Sequence, residues 1–162
     1  MGPLSWLIAV PFLTALAVIA TPASRAGWIR WIAVFGTGLQ LVLTAVVTVL
    51  FWQAAAPDIE MMKTAQFTKL YFVEEVPWFQ SLGIQYKVGV DGISMAMVIL
   101  TSIIIFTGVM ASWNVKERGK EFFALLLTLV TGVFGVFLSF DLFLFFCFYE
   151  VAVLPMYLLI GI

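Results

Sequence analysis

Glu150 is the one carboxylate placed deep inside an apolar run of this chain. The run is Leu142–Ile162, LFLFFCFYEVAVLPMYLLIGI, with Asp141 at its head. Its 21 residues suffice to cross a bilayer as a helix. Glu150 then lies two residues from the midpoint, about 3 Å from the membrane centre. A charge there costs roughly 2.5–3.5 kcal/mol on the lenient insertion scale. Protonating an ordinary Glu at pH 7 costs about 3.7 kcal/mol. The two costs are of one order, so a nearby cation that approaches or withdraws tips the balance. Such a group takes and releases protons, which is the physics of a relay. The bland alternative is a fixed ion pair or hydrogen bond that locks two helices together.

Its neighbours supply candidate supporting roles. Pro155 has no N–H and leaves the Val151 carbonyl without its helical partner, a natural place for water beside a carboxylate. Tyr157 lies seven residues after Glu150, on roughly the same face, and offers a hydroxyl. Asp141 reads as an N-cap of this helix, with a place at a water entrance as its other reading. Cys147 reads as apolar packing, because buried thiols are mostly inert. Glu117 and Glu121, among Lys116, Arg118 and Lys120, read as solvated charges.

The elements that must carry these residues are membrane spans. Apolar residues make up 64% of the chain and charged residues 10%, far from the proportions of a soluble domain. Eight Lys and Arg face nine Asp and Glu, so no basic excess points to nucleic acid. With no His and one Cys, the chain lacks the residues for an internal disulfide or a Cys/His metal centre. No metal or redox cofactor is therefore expected in the chain itself.

Hydropathy predicts an all-α polytopic membrane protein with about five transmembrane helices, near 4–20, 31–52, 92–112, 122–140 and 142–162, in a single membrane domain. The first run has no basic residue before it and reads as a retained helix bent at Pro11, not a cleaved signal. The short connections carry Arg25 and Arg30, and Lys116, Arg118 and Lys120. The positive-inside rule places them in the cytoplasm, with the N-terminus outside. The long connection, 54–91, is then an external loop between the second and third helices, and it carries Asp58, Glu60, Lys63, Lys69, Glu74, Glu75 and Lys87.

Within that loop, residues 82–91 alternate apolar and polar at the strand period. Residues 65–76 read as an interfacial segment and Val76-Pro77-Trp78 as a turn. Asp91 is placed to cap the third helix. Thr128, Gly132, Gly135 and Ser139 form a small-residue face on the fourth span, with a looser one, Thr101, Gly108 and Ser112, on the third. Such faces let membrane helices approach closely.

Several blocks together resemble a known family. They are Gly89-Val90-Asp91-Gly92-Ile93-Ser94, Ser112-Trp113, Gly132-Val133-Phe134-Gly135-Val136-Phe137-Leu138, Asp141-Leu142-Phe143-Leu144-Phe145-Phe146, and Glu150 followed by Leu154-Pro155-Met156-Tyr157. This pattern resembles the subunit M (chain 4) family of the proton-pumping NADH:quinone oxidoreductase, respiratory complex I. The final block is the most specific. The region from Val88 carries the match, and the region before it matches only in layout.

The resemblance implies an antiporter-like fold in a multi-pass protein of the inner (plasma) membrane, surrounded by lipid and by other membrane subunits of complex I. It implies that Glu150 is the essential carboxylate of a proton relay, paired with a lysine on a later helix. It also implies that FMN, iron–sulfur clusters and quinone belong to other subunits. Family members are several times longer, so the chain reads as the N-terminal portion of such a subunit. A related cation/proton antiporter or membrane-bound hydrogenase subunit shares the fold and the glutamate. A structural scaffold subunit is the reading without chemistry.

Overall fold

A computed structural model describes residues 2–56, 69–79, 83–115 and 118–161. Asp58, Glu60, Lys63, Lys116 and Glu117, named above, lie outside the described residues. Among those described, five helices are long and apolar enough to span a bilayer. They are α1 (Pro3–Ala20), α2 (Ala26–Ala55), α3 (Gly92–Ala111), α4 (Gly119–Leu138) and α5 (Leu142–Ile160). An antiparallel hairpin, β1 (Tyr71–Phe79) and β2 (Ile84–Val90), stands between α2 and α3. The all-α expectation therefore holds for the membrane part, with a small sheet added outside the helices.

Local chemistry accounts for the boundaries. Pro3 opens α1, where a missing N–H costs nothing. Asp91 caps α3 by accepting from the Ser94 amide at 2.7 Å. Asp141 caps α5 by accepting from the Phe143 and Leu144 amides at 2.9 and 3.1 Å. Helix α2 begins one turn before the apolar run does, so Arg30 belongs to the helix and not to the connection. Its guanidinium donates to the Val115 carbonyl at 3.1 Å and ties the start of α2 to the chain beyond α3.

The hairpin covers strand β2 where the alternation predicts it. Strand β1 corrects the reading of Val76-Pro77-Trp78 as a turn. All three lie inside β1, with Val76 opposite Tyr86 and Pro77 opposite Gln85. A two-stranded sheet has only edges, so Pro77 is tolerated there without losing an inner ladder. The chain reverses later, next to Gly83 at φ +68, a left-handed conformation that suits glycine.

One end of the helix bundle is tied together by this hairpin. The register of β1 shifts between Tyr71 and Glu74, and Phe72 there has φ 53. Such bulges re-aim a side chain. Here the Glu74 carboxylate reaches the start of α1 and accepts from the amides of Gly2, Leu4 and Ser5 at 2.7, 3.0 and 3.2 Å, and from Ser5 Oγ at 2.6 Å. The Ser5 proton is committed to Glu74, so the Tyr86 hydroxyl, 3.1 Å away, donates to Ser5 Oγ. On the other side, the Phe140 amide donates to the Lys87 carbonyl at 2.9 Å, joining β2 to the turn between α4 and α5.

All six tryptophans sit near helix ends or in the hairpin. Trp31 and Trp113 meet edge to face at 5.6 Å at the opposite end of the bundle, and Trp78 meets Phe143 beside the hairpin. This is the placement expected of residues at the two membrane–water boundaries.

Burial pushes the Glu74 carboxyl up, but its bonds to Ser5, Gly2 and Leu4 outweigh that and hold it below the ordinary carboxylate value of 4.5. Burial, helped by the Glu74 charge, pushes the Tyr86 hydroxyl above its ordinary value and keeps it a donor. Because the folded-state value of Glu74 is depressed, its stabilisation is fully present above the unfolded value and is lost as pH falls through the folded one. Thermal unfolding in detergent between about pH 3 and 7 should show this acid limb. Glu74→Ala should flatten the limb and cost about 1 kcal/mol at neutral pH, the typical worth of a helix N-cap.

Candidate functional site

Helix α5 is positioned by helix α4 through the small-residue face of the latter. A Cβ on Gly132 would lie 2.6 Å from the Ala152 backbone nitrogen and 2.8 Å from the Phe148 carbonyl oxygen. A Cβ on Gly135 would overlap carbons of the Phe148 ring. The two backbones therefore meet at van der Waals contact, as small residues permit. Leu144, Phe148, Ala152 and Pro155 recur at helical spacing and form the inner stripe of α5, with Leu144 and Pro155 buried. The looser trio on α3 plays no such part, since nothing lies within 4 Å of a Cβ on Gly108.

This contact fixes the rotation of α5, and with it the direction of Glu150. Glu150 is two residues from both Phe148 and Ala152, so it lies on the far side of the helix from α4. It is exposed, as are Phe146, Leu154 and Tyr157 on the same side. No described residue hydrogen-bonds to it or forms an ion pair with it. An open cleft of about 810 Å³ between α1, the hairpin and α5 is lined by Ser5, Glu74, Tyr86 and Phe148 but not by Glu150.

The other candidates are spread along the helix. Asp141 is engaged as the N-cap of α5, nine residues before Glu150. Pro155 is buried against the bundle, on the side away from Glu150. Tyr157 is 75% exposed and lines a cleft with Arg118 and Glu121 at the far end of α5. Seven residues separate it from Glu150, about 10 Å along the axis, and no hydrogen bond joins them. Cys147 is a half-buried free thiol. Among the described residues no three His, Cys, Asp or Glu side chains cluster as metal ligands. The arrangement can thus present one ionisable carboxylate, at mid-span, to whatever packs against the outer face of α5.

Comparison with known proteins adds to this geometry. No protein-family model matches the chain. NADH-quinone oxidoreductase subunit M of Buchnera aphidicola (Schizaphis graminum) is 36% identical over 160 residues, covering 98% of this chain and 31% of that protein. The Pseudomonas aeruginosa subunit of the same name is 40% identical over 162 residues, covering 98% and 30%. NAD(P)H-quinone oxidoreductase chain 4 3 of Picosynechococcus is 36% identical over 159 residues, covering 98% and 27%. The chain spans less than a third of the length of these relatives, and the similarity reaches its first two spans as well as its last three. A chain of respiratory complex I from Thermus thermophilus with bound NADH shares the fold, with a TM-score of 0.70 at 19% identity over 94% of this chain and 27% of that one.

The close contact makes a graded prediction. Gly135→Ala requires the Phe148 ring to turn, whereas Gly132→Ala meets backbone that cannot. Gly132→Ala should therefore destabilise more, within the roughly 1–3 kcal/mol range of overpacking. Gly108→Ala should be close to neutral. Thermal unfolding of the three variants in detergent checks the order.

Proposed function

The chain belongs, along 98% of its length, to the family of NADH-quinone oxidoreductase subunit M and chain 4 proteins, and from this membership we propose that it is part of a proton-translocating membrane-arm subunit of respiratory complex I. Glu150 is its proton-carrying group. The observation that carries the reading is a lone carboxylate at the middle of a span, held on the outward side of α5 by the α4–α5 contact. A carboxylate meant for a static pair within this bundle would face one of the other four helices.

In this reading the face of α5 bearing Glu150 packs against further helices of the same assembly, where a cationic side chain completes the pair. When that cation is near, Glu150 is ionised. When it withdraws, the cost of an unpaired charge in a low dielectric drives proton uptake. The Val151 carbonyl, which Pro155 leaves unpaired, offers water a place one residue from the carboxylate. Tyr157 and Asp141 serve at the two ends of the helix as supporting groups. NADH oxidation and quinone reduction occur in other subunits, which hold FMN and the iron–sulfur clusters.

The basic residues Arg25, Arg30, Arg118 and Lys120 lie at the end of the bundle opposite the hairpin. The positive-inside rule assigns that end to the cytoplasm, and the hairpin and N-terminus to the outer side of a bacterial inner membrane.

Glu150→Gln separates the relay from a static role, since the amide keeps the shape and hydrogen bonds but does not titrate in this range. Proton translocation should fall by about 10²-fold, the lower end of the range for a positioned acid–base group. NADH oxidation with an artificial acceptor should be unchanged and retained on washed membranes, which shows that the NADH-oxidising subunits remain attached to the membrane arm. Glu150→Asp should retain part of the translocation. Full translocation in Glu150→Gln membranes would overturn the assignment.

A further inference from the structure

Gln40, on a different pair of helices from Glu150, marks a second polar site inside the membrane. It is the single amide within the apolar run 31–52 of α2 and only 1% exposed. Its Nε2 donates to the Leu7 carbonyl of α1 at 2.9 Å. That carbonyl is available because Pro11, four residues on, has no N–H to give it. One half of the amide is thereby explained. The other half, Oε1, has no partner among the described residues.

Two hydroxyls are in the same condition. Thr44 Oγ1 and Ser102 Oγ are unpartnered, in residues 2% and 0% exposed. Elsewhere in the helices, the threonines turn their hydroxyls back onto the carbonyl one turn before. Thr14, Thr37, Thr48, Thr101, Thr128 and Thr131 all do so. Thr44 and Ser102 do not take this ready local acceptor, so their hydroxyls are directed elsewhere.

The register of α2 against α3 sets the three at one level. Arg30 bonds to Val115, and Gly38 lies against Phe106. Eight residues along α2 thus correspond to nine back along the chain from Val115, just beyond α3, into that helix, as an antiparallel arrangement requires. Continuing by four residues sets Ser102 level with Val42, midway between Gln40 and Thr44. Those two are one turn apart on one face of α2, each about 3 Å from that level along the axis. Both belong to buried helix faces, Gln40 and Thr44 on α2 and Ser102 with Val98 and Ile105 on α3.

We infer that Gln40 Oε1, Thr44 Oγ1 and Ser102 Oγ form a binding site for a buried water molecule at mid-membrane, between α1, α2 and α3. Three partners, one of them a pure acceptor, match the three hydrogen bonds a buried water usually makes. A cation is disfavoured, because three neutral oxygens do not repay the desolvation of a charge. The water completes the polar bridge begun by Gln40 at the Leu7 carbonyl, so that α1, α2 and α3 are joined without any formal charge. The inference stands apart from the role of Glu150.

The test uses the full-length subunit in its purified membrane assembly, with Ser102→Ala, Thr44→Val and the double variant. If the hydroxyls share a water, each single change should lower the unfolding midpoint by about 2–4 °C, and the double variant should fall less than the sum. If each single change raises the midpoint, the hydroxyls are dry orphans whose removal is a relief, and the water site is overturned. A midpoint that rises in sodium chloride relative to choline chloride, and loses that rise in Ser102→Ala, would replace water by a sodium ion. A high-resolution density map of the unsubstituted assembly decides independently of folding. A peak within hydrogen-bonding distance of Gln40 Oε1 and both hydroxyls supports the site, and an empty space there overturns it.

Discussion

The backbone contact between α4 and α5 governs what this chain can do. Helices in a bilayer gain nothing from hiding apolar side chains from other apolar side chains, so their rotation is set by shape. Gly132 and Gly135 supply a groove that receives Phe148 and the Ala152 backbone. Once they are seated, α5 has no freedom to turn, and Glu150 is aimed away from the other four helices. The residues that direct the charge are therefore two glycines on another helix, carrying no chemistry of their own.

A second constraint acts along every span: backbone polar groups in hydrocarbon must be satisfied from within. Pro11 breaks this rule in α1, and Gln40 repairs it from α2. Pro155 breaks it in α5, on the helix that bears the carboxylate. At the N-terminal end of α1 the free amides are satisfied by Glu74, a residue that joins the helix only because the hairpin folds back over it. That one carboxylate couples the seating of the hairpin to the start of the first helix, while the Lys87–Phe140 bond couples it to the α4–α5 turn. The hairpin is in this sense a strap over one end of the bundle.

These features differ in how far the sequence discloses them, and the difference is one of range. A charge in an apolar run is visible in a window of twenty residues, so Glu150 is legible at once. So is the capping by Asp91, whose acceptor and donor are three residues apart. The alternation at Ile84, Tyr86, Val88 and Val90 discloses β2. Its partner β1, YFVEEVPWF, has neighbouring glutamates, a bulge and a proline, so its pairing exists only in relation to β2. The contact of Glu74 with α1 spans about 70 residues of chain and has no local signal. The facing of Glu150 lies between these cases. The glycine spacing on α4 is plain in the sequence, but which face of α5 it receives is decided by packing.

The two polar features of the membrane region divide along physical lines. The neutral one, at Gln40, Thr44 and Ser102, is turned inward, where hydrogen bonds alone can satisfy it and no counter-charge is needed. The ionisable one, Glu150, is turned outward, toward surface that these five helices do not supply. A group whose charge must change during function needs a partner that moves relative to it, and a bundle joined by glycine contacts and a strap is poorly suited to provide one. In the proposed relay, rigid placement of the carboxylate on the bundle, with its electrostatic partner outside, would let motion elsewhere in a larger assembly change the proton affinity of Glu150 without disturbing the helix that carries it. On that proposal the stiffness of the α4–α5 contact is part of the proton chemistry, because a carboxylate free to swing would follow its partner and blunt the change in charge environment that drives the transfer.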